Sequence, residues 1–172
     1  EFYRGEYASA VRVFQQTAEN STLRTEAIVG QSLALQELGR YAESRELLVS
    51  SQNDSPDARL LQRLGELELI LGQMQSAQRY FDEAVRLAPA YRPALFYQAM
   101  TRWHLGERTA ANQTFRSFLD FYRTAPSLTA QDIHLVARAC TYLERFHDAN
   151  RLFGEAVKQQ PGNWTLYISW GD

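Results

Sequence analysis

From Ala58 to Tyr91, apolar side chains recur twice with the period of an α-helix. Leu60, Leu61, Leu64, Leu67 and Leu71 follow one another at steps of one, three and four, which is one apolar stripe of a helix. Gly72 is expected to end that helix, because glycine adopts the left-handed conformation of a helix terminus without a Cβ penalty. A second helix is expected to follow, with Ala77, Phe81, Ala84, Val85 and Leu87 on its inner side. Pro89 closes it, since the residue before a proline is pushed out of the α region.

This two-helix pattern returns along the chain. Ala77, Phe81, Ala84 and Pro89 are echoed 34 residues on by Ala111 and Phe115, and 38 beyond those by Ala149, Phe153, Ala156 and Pro161. A period of this size means stacked helix pairs, none of which buries its apolar face alone. Alanines at these positions let backbones approach closely, so Ala77, Ala84, Ala111, Ala149 and Ala156 are expected to be buried. The phenylalanine is expected to fill the gap between one unit and the next.

Leu64-Gly65, Gly72, Ala77, Phe81, Ala84 and Pro89 together resemble the motif of the tetratricopeptide repeat family. The unit from 92 to 125 keeps Ala99, Gly106, Ala111 and Phe115, but Phe118 replaces a small residue and Arg123 the closing proline. Its second helix is expected to run on through Tyr122 towards Pro126, which accounts for the slip in period. The unit from 130 to 163 keeps Ala137, Ala149, Phe153, Ala156 and Pro161, with Phe146 at the aromatic turn position. The unit from 25 to 57 keeps Gly39, Tyr41 and Pro56, but carries Ser32, Ser44 and Ser51 at the small positions. Gly5, Tyr7, Ala10 and Phe14 mark the turn into and the second helix of an earlier unit, with Glu1 to Arg4 expected as the tail of its first helix, and Trp170-Gly171 occupies the Leu-Gly position of a later one.

The resemblance implies an all-α fold, a right-handed superhelical solenoid of antiparallel helix pairs. The chain is then one solenoid segment over 1–172. It comprises a partial repeat 1–24, repeats 25–57, 58–91, 92–125 and 130–163, and a partial repeat 164–172. Both terminal pieces look apolar where a solenoid needs polar caps. They are expected to be covered by more of a longer protein or within an oligomer.

In this family the first helix of each unit lines an inner groove, chiefly through five of its positions. Here those positions carry Glu26, Val29, Leu33, Gln36 and Glu37, then Arg59, Gln62, Glu66, Leu69 and Ile70. The later units carry Pro93, Phe96, Met100, Trp103 and His104, then Gln131, His134, Arg138, Thr141 and Tyr142. Phe96, Met100 and Trp103 lie three to four residues apart and share one helix face. Side chains of this kind anchor peptides in grooves, and they equally pack against neighbouring helices. The expected partner-binding groove is Phe96, Met100, Trp103 and His104 with Arg59, Gln62, His134, Arg138 and Tyr142. The lysine, asparagine and arginine clamp with which some members hold acidic chaperone tails is not matched in either register: the first places Val29, Leu33, Arg63, Pro93 and Tyr97 there, the second Gln62, Glu66, Tyr97, Gln131 and Leu135.

Composition narrows the function classes. Eighteen basic against twenty acidic residues leave a net charge of −2, and Glu26, Glu37 and Glu66 share the groove with Arg59, so no nucleic-acid partner is expected. The longest apolar run falls short of a membrane span, so no membrane insertion is expected. His104, His134 and His147 show no metal-ligand spacing, and no nucleophile motif or phosphate loop occurs. No metal, cofactor or catalytic residue is therefore assigned. The lone Cys140 reads as a buried structural thiol and slightly favours a reducing, cytoplasmic setting, although a start at Glu1 is compatible with a removed targeting segment. The expectation is a non-catalytic scaffold that binds a protein or peptide. The alternative is the repeat arm of a larger enzyme, such as an envelope protease or a transferase, with its catalytic residues elsewhere.

Overall fold

The computed structural model describes residues 2–20, 23–123 and 127–171. Within them lie ten helices and no strand: α1 (Phe2–Asn20), α2 (Arg24–Glu37), α3 (Tyr41–Asp54), α4 (Ala58–Ile70), α5 (Met74–Leu87), α6 (Arg92–His104), α7 (Arg108–Arg123), α8 (Ala130–Tyr142), α9 (Phe146–Gln159) and α10 (Trp164–Gly171). The fold is all-α, as the periodicity required. Turns of three residues reverse the chain between α2 and α3, α4 and α5, α6 and α7, and α8 and α9, so each pair is antiparallel.

All four turns close in the same way. Gly72 donates its backbone N–H to Leu69 at 3.0 Å and Gln73 donates to Glu68 at 2.8 Å, which satisfies carbonyls left over at the end of α4. The same pair of bonds recurs after α2, α6 and α8. This geometry needs a left-handed residue. Gly39, Gly72 and Gly106 supply it with φ of 74°, 75° and 88°, but in the fourth turn Glu144 does so with φ of 58°. At the far end of three of the pairs, Ser55, Ala88 and Gln160 leave the helical region ahead of Pro56, Pro89 and Pro161.

α7 spans 16 residues against 14 for α3, α5 and α9, which is the expected extension through Tyr122. Pro126, named as its stop, lies outside the described residues. Three expectations need correcting. α1 is one continuous helix from Phe2, so Gly5 makes no turn and Phe2–Arg4 do not form the tail of a separate helix. Nothing lies within 4 Å of where a Gly5 Cβ would be, and glycine permits a left-handed turn without imposing one. Leu71 caps α4 and is 40% exposed, and Leu87 ends α5 at 42%, so neither belongs to an inner face.

The fold divides between Ala94 and Leu95, in the first turn of α6, into two compact units. In the first unit Ile28, Leu48, Leu60, Leu64 and Leu67 form one buried cluster, and Ala58, Leu61, Ala84 and Ala94 a second. Phe81 presses on Gly65 of its own helix pair, where any Cβ would collide with its ring. Phe14 makes the equivalent contact with the next pair, 2.7 Å from where a Gly30 Cβ would stand. In the second unit the core is aromatic: Phe96, Phe115 and Phe118 are fully buried and Tyr122 nearly so. The five alanines expected inside are all buried, four of them completely.

Candidate functional site

In the first unit, polar side chains follow one another across α3, α2 and α4. Serine at two small positions leaves two hydroxyls in the core, and these find each other: Ser32 and Ser44 are 3.0 Å apart, and Ser44 also donates to the Ser32 carbonyl. Gln36 donates to both hydroxyls at 3.0 and 3.1 Å. Its side-chain carbonyl accepts from Arg63 at 3.1 Å, and Arg63 pairs with Glu66. Gln62 donates to Glu66 at 2.8 Å and accepts from the Tyr91 hydroxyl at 2.6 Å. Such a chain satisfies most of its buried polar groups, Arg63 Nε being left without a partner among the described residues, and it restricts the rotamers of its members.

Beside it opens a cleft of about 210 Å³ lined by Thr25, Glu26, Val29, Arg59, Gln62, Arg63 and Tyr91. Its charges are already matched. Arg59 pairs with Glu26 across the cleft and with Asp57, whose carboxylate also caps α4 and accepts from Thr25. Those bonds, from Asp57 first, raise the Arg59 pKa further above its ordinary value. Burial works upward on the Asp57 carboxyl, yet the bonds from Arg59 and Thr25 outweigh it and hold it below the usual range. Burial pushes the Tyr91 phenol up to about 12.

The second unit builds a different surface, on α6 and α8. Phe96 is at its base and fully buried, tilted against Phe115 and Phe118 with centroids 5.8 Å away in both cases. Tyr142 stacks on Phe115 at 4.9 Å and meets Trp103 edge-on at 5.3 Å. Its hydroxyl is 3.1 Å from His104 Nε2, and burial raises its pKa, opposed by Arg138. Trp103 and Tyr142 are half-buried and His104 is exposed, so this part of the cluster faces solvent. Two guanidinium groups lie on its rings: Arg138 is 4.8 Å from the Phe96 centroid, with Met100 Sδ as an acceptor at 3.6 Å, and Arg108 is 4.6 Å from that of Trp103.

The nine side chains expected to form one groove are therefore distributed. Trp103, His104, Arg138 and Tyr142 come together on the surface of the second unit, with Met100 buried beside Arg138. Phe96 supports them from below and offers no contact area, because its ring is fully buried among four other aromatics. His134 is turned to the Phe153 ring at 5.9 Å, and its buried Nε2 has no hydrogen-bond partner among the described residues. Burial and the neighbouring Arg138 charge lower its pKa to about 4. Arg59 and Gln62 belong to the cleft of the first unit. Sequence reasoning passed over Arg108, Tyr91 and the Thr129–Asp132 capping box of α8. The box alone carried a local signal, a threonine three residues ahead of an acid.

Cys140 is buried and its pKa raised by that burial, as a structural thiol requires. Among the described residues, no group of three or more His, Cys, Asp or Glu side chains converges as a metal site would need. No helix there is long and apolar enough to cross a membrane.

Two models of the tetratricopeptide repeat match, over residues 58–91 and 93–125. A thermophilic repeat protein of this type from Thermus thermophilus superposes with a TM-score of 0.70 at 19% identity, over 97% of this chain and 90% of its own. The human mitochondrial import receptor subunit TOM70 is 24% identical over 168 residues, which is 93% of this chain but 27% of that receptor. Protein FlbA of Caulobacter vibrioides is 37% identical over 79 residues, covering 45% of this chain and 13% of FlbA.

Proposed function

Since this chain belongs to the tetratricopeptide repeat family, whose two matched repeats and likeness to TOM70 support a protein-interaction scaffold, we propose that it holds a peptide segment of its partner on the α6–α8 face of its second unit. The observation that carries this reading is the half-buried pair Trp103 and Tyr142, fixed edge to face at 5.3 Å with His104 beside them. Rigid aromatic rings give a large contact area at low entropic cost, and they are enriched among residues that dominate binding energy. Met100 is buried beside Arg138 and supports the face from within. TOM70 is by name a receptor subunit for import, which agrees with a polypeptide as the ligand class.

The test is selection of a displayed random-peptide library on the whole chain and, in parallel, on the Trp103→Ala variant. Enrichment of binders that the variant no longer holds, with its helical circular dichroism intact, is the expected result. Enrichment unaffected by the substitution removes the face from consideration. Phe96 is unsuitable for this purpose, because truncating a fully buried ring tests folding and not recognition.

A further inference from the structure

The cleft of the first unit and the α6–α8 face of the second treat their arginines differently, and that difference bears on the chemistry of the bound segment. In the cleft of the first unit every guanidinium has a carboxylate from the chain itself: Arg59 has Asp57 and Glu26, and Arg63 has Glu66. On the face of the second unit, Arg138 and Arg108 have no carboxylate partner among the described residues. Arg138 rests on a phenyl ring and a thioether, and Arg108 on an indole. A thioether sulfur is a weak acceptor, whereas a guanidinium offers five donors in a fork that matches a carboxylate. The acid of α8 nearest in sequence, Asp132, is engaged by Thr129 and by the Tyr122 hydroxyl. The groove positions of α6 and α8 carry no acidic side chain.

We infer that the segment bound on this face is an acidic peptide, with carboxylates paired to Arg138 and Arg108 and an apolar side chain set against Trp103 and Tyr142. This rests on the reading of the face as the binding surface. The two rings under the cations, Phe96 and Trp103, are seven residues apart on α6, about 10 Å along its axis. An extended chain covers that distance in about three residues. The recognised pattern is therefore two acidic residues about three positions apart with an apolar residue between them. The aromatic supports contribute as well, since they hold each guanidinium in place before the ligand arrives.

The experiment takes the strongest binder from the library selection and synthesises it twice, once as selected and once with every Asp and Glu replaced by Asn and Gln. Each labelled peptide is titrated by fluorescence anisotropy against the wild-type chain, Arg138→Gln and Arg108→Gln. The expected result is a pool enriched in paired acids and an amide twin at least about tenfold weaker on the wild type, from loss of charge-assisted bonds. That discrimination falls with added salt and is lost in Arg138→Gln, whose binding of the amide twin is unchanged. An amide twin that binds as well as the acidic peptide, with both still dependent on Trp103, overturns the acidic assignment and leaves the face intact. A selected pool that is neutral or basic does the same. No Trp103-dependent binder at all overturns both.

Discussion

One unit of this chain closes its inner side with hydrogen bonds and the other with aromatic rings, on the same helix-pair template. Ser32, Ser44, Gln36, Arg63, Glu66, Gln62 and Tyr91 form a polar relay in the first; Phe96, Phe115, Phe118, Tyr122 and Tyr142 form a stacked cluster in the second. The repeat sets where backbones approach, and it leaves the filling of the groove side open. This relay meets all but the Arg63 Nε of its buried donors and acceptors from within, so little recognition capacity remains there. An aromatic cluster has no such closure: its outer rings retain faces and edges for a ligand. The comparison explains why guanidinium charge is matched in the cleft of the first unit and available on the α6–α8 face of the second.

The largest expected effect comes from the aromatic side. Phe115 is fully buried, stacked on Tyr142 and tilted against Phe96, so Phe115→Ala should cost about 3–5 kcal/mol by urea denaturation. It should also loosen Tyr142 and weaken peptide binding at temperatures where the chain is still folded. A loss under about 1 kcal/mol would mean that the rings do not pack as a unit.

The polar relay predicts a smaller and asymmetric response. Gln36→Ala leaves Ser32, Ser44 and Arg63 short of partners and should cost about 1–3 kcal/mol. Replacing both serines with alanine together with Gln36→Leu removes the two hydroxyls and the amide that bonds them, and this combined change should be within about 1 kcal/mol of wild type. Equal losses in the two variants would show that the relay holds the first unit together rather than merely satisfying itself.

A pH experiment separates the units further. His134 keeps a neutral ring down to about pH 4 in the folded chain, against 6.5 ordinarily, because burial and Arg138 oppose its charge. Between those values the unfolded chain binds the extra proton, so stability falls as pH drops from about 6.5 to about 4. The loss traceable to this residue should be roughly 1–2 kcal/mol and should vanish in His134→Phe, with no counterpart for a substitution in the first unit. An unchanged pH profile in that variant would refute the burial of the ring.

Much of this architecture was legible beforehand, because small-residue spacing, turn glycines and closing prolines act locally. The buried alanines and the longer α7 follow from the same local code. The site was legible only in part. Helical periodicity puts Phe96, Met100 and Trp103 on one face, yet it does not say how deep each side chain lies. Depth depends on Phe115, Phe118 and Tyr142, which arrive from α7 and α8. Arg108 escaped because it is a turn-flanking residue whose ring partner, Trp103, belongs to the preceding helix. Gly5 misled for the opposite reason: a local signal was present, and the helix ran through it.

The smallest effect tests that local code where the two units share it. Three of the four left-handed turn residues are glycines, and the fourth, in the second unit, is Glu144 with φ of 58°. A side chain in this conformation costs about 1–2 kcal/mol per residue relative to the right-handed region. Glu144 is exposed to solvent, so burial of its side chain does not offset that cost. Glycine removes the strain but also frees the unfolded chain, which takes back roughly 0.5–1 kcal/mol. Glu144→Gly should therefore stabilise the chain by about 0.5 kcal/mol, and Glu144→Asn by a similar or smaller amount, read as a rise in Tm. Destabilisation by the glycine variant would show that in the α8–α9 turn, unlike the three that use glycine, the side chain contributes more than its left-handed conformation costs.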